Sequence, residues 1–342
     1  MKRSTIPALA ACIAAAAVLS SCTAASAGDE VTFVSYGSAF QDSQIEVWQE
    51  PYSEEAGVSF LNDTVDEAKL RAMVESEQVS WDVVEMAGQS AGQYCGVYIQ
   101  PLDFDLIDTS RFPEGTVTDC GVPAFFTALL FMVDDTAYPE EPDSIEAFFD
   151  TDQYPGKRMV PPEINQGLIE LALLADGVPT AELYPLDLDR AFAKLDTIKG
   201  DLVFATSYGE MQQAMTDQQV AMTLAPTVRA SLSLADGAPF SIVWDQAIVT
   251  WDVLTVPVGA PNAAEAQKFI AWTTQDEQTA ALAEKMSVQP ANPDVVVDYT
   301  AMQQAANAFA PERADALVWS DAQWWAENLN DLTTRYTNWQ VG

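Results

Sequence analysis

Val31-Thr32-Phe33-Val34-Ser35, which ends in Tyr36-Gly37-Ser38, and Trp81-Asp82-Val83-Val84-Glu85-Met86 are two short runs dominated by β-branched, aromatic and other apolar residues. Such runs read as strands, and the second as one buried on both faces. Between them, helical spacing holds over 41–52 and 65–76, with an extended stretch at 57–61. The order strand, helix, strand, helix, strand predicts a mainly parallel α/β sheet. Solutes bind such sheets beyond the carboxyl ends of the strands, where Tyr36 and a turn over 85–90 both fall.

The same grammar continues along the chain. A strand is predicted at 128–133, followed by Pro-rich sequence at 138–142, and then a second α/β set begins. Its helices are read at 145–149, at 164–175 (stopped by Gly177), at 186–198 and at 210–216. Its strands are read at 157–160, 202–205, 220–224, 242–244 and 248–256, and helices follow at 263–273 and 277–285. The closing stretch 322–339 spaces Trp325, Leu329, Leu332, Tyr336 and Trp339 as one helix face, a stripe expected to join a core.

At the N-terminus, Lys2 and Arg3 precede an Ala-rich apolar run over 6–19, the form of a signal peptide and too short to span a bilayer. Leu19-Ser20-Ser21-Cys22 has the form of a lipobox, which makes 1–21 a lipoprotein signal peptide and Cys22 the lipidated residue. Ala25-Ser26-Ala27 offers ordinary cleavage as the alternative. Either way the expected location is the periplasm or cell envelope, with any membrane contact made by the N-terminal lipid.

Composition narrows the function further. Of the 342 residues, 51 are acidic and 15 basic, a net charge of −36, so nucleic acid and anionic lipid are poor partners. The acids are scattered, which suits a solvated surface in a salty medium; a funnel for a cationic solute is the alternative. Histidine is absent, which excludes Ser-His-Asp and Cys-His catalysis and His-based zinc sites. Cys12 leaves with the signal peptide and Cys22 is lipidated or removed, leaving Cys95 and Cys120 as a disulfide pair in an oxidising compartment. Two reactive thiols are the alternative, and no metal or cofactor is expected.

Several phrases, in order along the chain, carry a family resemblance. Ser35-Tyr36-Gly37-Ser38-Ala39-Phe40, Trp81-Asp82-Val83-Val84 and Tyr154-Pro155-Gly156-Lys157-Arg158 are followed by Ala175-Asp176-Gly177-Val178, the stretch 240–245 and Val256-Pro257-Val258-Gly259-Ala260-Pro261-Asn262. Together they resemble the extracellular solute-binding proteins of ABC importers, of the polyamine (spermidine/putrescine) type. The resemblance implies an α/β, two-lobe type II periplasmic-binding-protein fold with a hinge of two crossing segments, near 129–133 and 250–256. By analogy lobe one is 30–130 plus 255–292, lobe two is 131–254, and 293–342 packs its helices across both. The implied protein is a monomer, not an enzyme, that binds a small solute between the lobes and presents it to a membrane permease.

The resemblance also implies a pocket. Asp252 matches a position that receives a ligand amine, Tyr36 an aromatic after the first strand, and Trp251 is a neighbouring ring. Gly37, Ser38, Gln89, Ser90, Asn165 and Arg229 complete the expected ligand-binding set. Several positions depart from the polyamine pattern: Pro226-Thr227-Val228 replaces an aromatic wall, Ala87 and Gln89 replace a Ser and a Tyr, Glu163-Ile164-Asn165 replaces a pair of acids, and Val288 replaces a Tyr. A guanidinium at Arg229 favours a carboxylate and opposes a purely cationic solute. A polyamine or other amine is the main expectation, with an amino-acid-like or zwitterionic solute as its alternative. A carboxylate hydrolase built on Glu163 and Asp252, or an interaction protein that has lost its solute, belong to other classes.

Overall fold

The computed structural model describes residues 30–342, so the signal peptide 1–21 and Cys22 lie outside the described residues. The strands are β1 (Glu30–Ser35), β2 (Ser59–Thr64), β3 (Val83–Ala87), β4 (Ile99–Gln100), β5 (Val122–Asp134), β6 (Arg158–Val160), β7 (Leu202–Phe204), β8 (Met222–Pro226), β9 (Phe240–Pro257), β10 (Gln289–Pro290) and β11 (Leu317–Trp319). Eight of them run in the order β2-β1-β3-β9-β5-β8-β6-β7. β1 is parallel to β2 and β3, and β6 is parallel to β7 and β8, as the repeated strand-helix alternation requires. Two parallel sets therefore flank a central antiparallel pair, β5 and β9.

That pair connects the sets. The first half of β5 pairs with 250–254 of β9, beside β3, while its second half pairs with β8. The two strands break register twice, once between Pro123 and Phe125 and more widely where Leu129 pairs with Ile248 and Phe131 with Val243, so that residues 244–247 face a single residue of β5. The sequence reading separates strands at 242–244 and 248–256; the chain instead continues as one strand of 18 residues, with the polar interruption absorbed as this bulge.

Other boundaries moved for local reasons. The helix expected over 164–175 is a short turn at Ile164–Gln166 and a helix at Leu168–Ala175, divided at Gly167 (φ 110°). A Cβ at Gly167 would lie 2.7 Å from the Cβ of Ile248, so close approach to the crossing strand fixes this break. The turn expected over 85–90 is the end of β3 followed directly by a helix, Gly88–Tyr94. Thr227–Ala235 is also helical, although Pro226 and two β-branched residues open it.

Each set has its own core. Phe33, Trp48, Val83, Phe269 and Ile270 belong to the first, and Phe131, Phe148, Leu171, Phe192 and Leu195 to the second. The C-terminal helix Ala322–Val341 buries Trp325, Leu332 and Tyr336 in the second core, in line with the aromatic-stripe expectation. Trp325 Nε1 and Tyr184 Oη both donate to the fully buried Glu170, at 2.7 and 2.6 Å.

Arg158 is fully buried and anchors the start of the second set. Its guanidinium donates to the carbonyls of Phe148 (2.8 Å), Gly156 (2.6 Å), Asp150 (3.2 Å) and Tyr154. The Tyr154–Arg158 motif thus has a structural cause, a loop whose inward carbonyls need one multidentate donor.

Cys95 and Cys120 are joined, with 25 residues of separation, at the end of the helix Gly88–Tyr94. Closing that loop stabilises by about 3.5 kcal/mol on the chain-entropy estimate. Replacing both cysteines by serine is expected to lower the unfolding free energy by roughly that amount, measured by urea denaturation. A change below about 1 kcal/mol would show that the loop is already ordered without the bond.

Candidate functional site

β1 ends at Ser35, and Gly37 (φ 68°) turns the chain into the helix Ser38–Gln44, leaving Tyr36 41% exposed at the strand's carboxyl end. Tyr36 Oη donates to Asp252 Oδ1 at 3.2 Å. Asp252 stands on β9 level with Ala87 of β3 and Phe125 of β5. Because side chains alternate along a strand, Trp251 and Val253 turn away from it into buried positions. Tyr36, Ala87, Phe125 and Asp252 edge a cavity of about 730 Å³ that also takes in Glu163, Asn165, Tyr208 and Arg229 from the second set.

The cavity gathers charges of both signs. Burial, and secondarily the Glu163 charge, push the Asp252 carboxyl up to about 7, against the stabilising Tyr36 hydrogen bond. Glu163 is itself raised by desolvation, although it accepts from Tyr208 Oη at 2.6 Å. Beneath them Glu85 is fully buried, accepting from Ser35 Oγ at 3.2 Å and from Gln44. Burial and then the nearby Asp252 hold its carboxyl well above the usual range. Carboxyls whose ionisation is opposed in this way favour a cationic group in the cavity, which would restore their charged form.

Arg229 supplies the opposite sign. Its guanidinium lies 5.9 Å from the centre of the Tyr208 ring, and its nearest hydrogen-bond acceptor is Gln212 at 3.5 Å. Among the described residues it makes no ion pair, and burial lowers its pKa. Arg71 lines the cavity too, donating to Tyr94 Oη, which donates in turn to Glu67 at 2.7 Å. Arg71 is thereby partly committed, whereas Arg229 keeps free donors for a carboxylate.

Of the expected residues, Tyr36, Ser90, Asn165, Arg229, Trp251 and Asp252 line this one cavity. Gln89 does not: it is 1% exposed, and its Nε2 donates to the Asn165 carbonyl at 3.4 Å, a link between the two sets. Gly37 shapes the turn, and the side chain of Ser38 lies outside the described residues. Trp251 is only 4% exposed, packed on Phe126 and Trp319, with its Nε1 2.5 Å from where a Cβ on Gly88 would sit. It is first a packing residue and presents only an edge to the cavity.

Neither Tyr208 nor any residue of the C-terminal helix is among the site residues expected from sequence. Tyr208 opens a helix just beyond the carboxyl end of β7, and Tyr36 likewise follows the carboxyl end of β1, two residues before its helix, so the same signal points to both. Leu329, Asn330 and Thr333 reach the cavity from a helix remote in sequence, and no local pattern announces this.

Comparison with known proteins follows this geometry closely. The model of the bacterial extracellular solute-binding protein family matches residues 51–311. A γ-aminobutyric acid-binding protein from Pseudomonas aeruginosa is 28% identical over 320 residues, covering 90% of each chain. The solved structure of the Atu4243 GABA receptor is 33% identical, with a TM-score of 0.84, over 91% of this chain and 98% of its own. The protein AgtB of A. tumefaciens R10, solved with agropinic acid, is 28% identical, with a TM-score of 0.80, over 92% and 99%. A spermidine/putrescine substrate-binding protein from Streptococcus pneumoniae, at 16% identity and a TM-score of 0.69 over 91% and 99%, shares the fold alone. The two-lobe binding-protein architecture holds.

Proposed function

The chain belongs to the bacterial extracellular solute-binding protein family, receptors of ABC importers rather than enzymes, and from that premise we propose that its solute is amino-acid-like and zwitterionic. One observation carries the reading: an underpaired carboxylate, Asp252, and an unpaired guanidinium, Arg229, face the same cavity. A desolvated charge without a partner is costly, and a solute bearing both an ammonium and a carboxylate relieves both at once. Asp252 receives the ammonium, supported by Tyr36 and the Glu163 charge, and Arg229 the carboxylate. A polyamine leaves Arg229 unmet and faces its repulsion. The relatives named for γ-aminobutyrate and solved with agropinic acid support the same class.

Solute held from both sides favours the closed form, which the permease then reads. The lobes in this proposal are 30–130 with 255–292, and 131–254, with 293–342 across both; the two parallel strand sets support that division. Monomeric action and a lipid tether at Cys22 complete it.

Isothermal titration with γ-aminobutyrate, glutamate, putrescine and spermidine tests the reading. An amino acid is expected to bind at least about tenfold more tightly than either polyamine, a margin of about 1.4 kcal/mol. Tighter binding of putrescine would overturn it.

The same carboxyl predicts a pH dependence. The solute ammonium needs Asp252 ionised, and in the unliganded protein burial pushes that carboxyl up to about 7. Affinity is expected to be flat above that pH and to fall about tenfold per unit below it, with one proton released per solute bound at pH 6. Titrations in buffers of different ionisation enthalpy measure the release. A flat affinity from pH 5 to 8 would remove Asp252 from the amine site.

A further inference from the structure

Glu85 is a carboxyl that solute binding leaves without a task. It is fully buried and, unlike Asp252, does not reach the cavity wall. Ser35 and Gln44 are fully buried beside it, and both donate to the same oxygen, Oε2: Ser35 Oγ at 3.2 Å and Gln44 through Nε2. The other oxygen, Oε1, has no donor among the described residues, and neither has Gln44 Oε1. Two buried acceptors, on two groups that already share one hydrogen bond, are thus short of one proton.

No cation makes up the difference, since none of the ion pairs among the described residues involves Glu85. The titratable groups that face it are Asp252 from β9 and Tyr36 from the turn after β1. β1 itself and the helix Ser38–Gln44 face it with Ser35 and Gln44, which carry no charge. Strand register sets the two carboxyls side by side. Ala87 of β3 pairs with Asp252 and Glu85 with Leu254, so Glu85 and Asp252 share one face of the sheet as diagonal neighbours. Two carboxyls so placed oppose each other's ionisation, and the one on the cavity is the one an ammonium can reach. Burial, and then the Asp252 charge, oppose ionisation of Glu85 in the same direction.

Ser35 ends β1 and Gln44 ends the helix that follows, so the two bonds to Glu85 tie down both ends of the segment carrying Tyr36, which donates to Asp252. We propose that Glu85 is a positioning residue of the amine site: it keeps its proton and, as a neutral acid, holds the segment that presents Tyr36 to Asp252. The contact with Gln44 then runs both ways, Nε2 donating to Oε2 and the acid hydroxyl on Oε1 donating to Gln44 Oε1. The inference rests on Asp252 as the acceptor of the solute's ammonium.

Glu85→Gln and Glu85→Leu are compared with the unaltered protein by titration of γ-aminobutyrate from pH 5 to 8, with melting temperatures as the check on folding. Glutamine supplies the same acceptor and a donor but cannot ionise; leucine fills the space and supplies neither. The glutamine variant is expected to bind within about threefold of the unaltered protein, and the leucine variant at least about tenfold more weakly. The pH midpoint of affinity set by Asp252 is expected to stay where it is in the glutamine variant. An ionised Glu85 would instead oppose the Asp252 charge, and its replacement by glutamine would lower that midpoint by about one unit or more. Such a shift overturns the retained proton, as does a release approaching two protons per solute at pH 6. Equal affinity of the leucine and glutamine variants overturns the positioning role, and if the leucine variant does not fold, the midpoint of the glutamine variant decides alone. Absence of γ-aminobutyrate binding, or of any pH midpoint, in the unaltered protein overturns the reading of Asp252 and the role of Glu85 with it; the other results fall on Glu85 alone.

Discussion

Asp252→Asn is expected to lower affinity for any amine-bearing solute at least about 100-fold, while the unliganded protein melts at the same temperature or higher. The first half follows from removing one member of a desolvated charge pair, which costs about 2–5 kcal/mol. The second follows from the electrostatics of the empty cavity. Asparagine keeps an oxygen to accept from Tyr36 and discards a charge that burial and Glu163 both oppose. A carboxyl whose folded pKa is raised to about 7 from 3.8 contributes stability that is present below pH 4 and lost as pH rises through 7. The substitution removes that loss, so the stability gain is expected at pH 8 and not at pH 4. Titration calorimetry and melting curves at both pH values measure the two effects. Unchanged affinity would sink the assigned role; a melting temperature that falls at pH 8 would sink the electrostatic account.

Arg158→Met is expected to destabilise the protein by about 3–5 kcal/mol, with solute affinity per folded molecule little changed. Methionine approximates the aliphatic stem but offers no donor to the carbonyls of Phe148, Asp150, Tyr154 and Gly156. Each buried carbonyl left unmet costs about 1–3 kcal/mol, reduced where water enters. The loop 150–157 that meets β6 and its neighbour β8 would lose its internal brace. Urea unfolding, with its slope compared between the two proteins, measures this. A loss under 1 kcal/mol would mean that solvent already serves these carbonyls.

How far the sequence carried depends on which physical signal each feature leaves. Strands such as β1 and β3 were legible because burial on both faces demands an apolar run. The C-terminal helix was legible because one face must reach a core, and Trp325, Leu332 and Tyr336 do so. The helix Thr227–Ala235 was missed because a proline and β-branched residues open it, and tertiary packing of Ala230 and Ser233 overrides their low propensity. The break at Gly167 was missed because its cause, the side chain of Ile248, is distant in sequence.

The site divides in the same way. Tyr36 is expected at a strand end and Asp252 comes from the family resemblance; asking what lies at the end of β7 adds Tyr208. Gln89 was misplaced because its helix begins at once after β3, which turns it inward to Asn165 instead of towards the cavity. The sign of the solute was not legible from net charge. The zwitterion proposal draws on Arg229 and Asp252, both named from sequence, and folding brings them to one cavity without adequate partners among the described residues.

The bulge at 244–247 bears on how the receptor flexes over time. Above and below it β5 and β9 are laddered together, so their amides are shielded from exchange with water unless the whole sheet opens. If the two strand sets rotate against each other, the rotation is expected to be taken up where that ladder lapses, beside Leu130. Amide hydrogens at 244–246 are expected to exchange fast and those at 250–254 slowly, a short interval of rapid exchange that ends at Ala247, which pairs with Leu317. A bound solute that fixes the closed form slows exchange in that interval first, which makes it a clock for opening that needs neither a dye nor a partner protein.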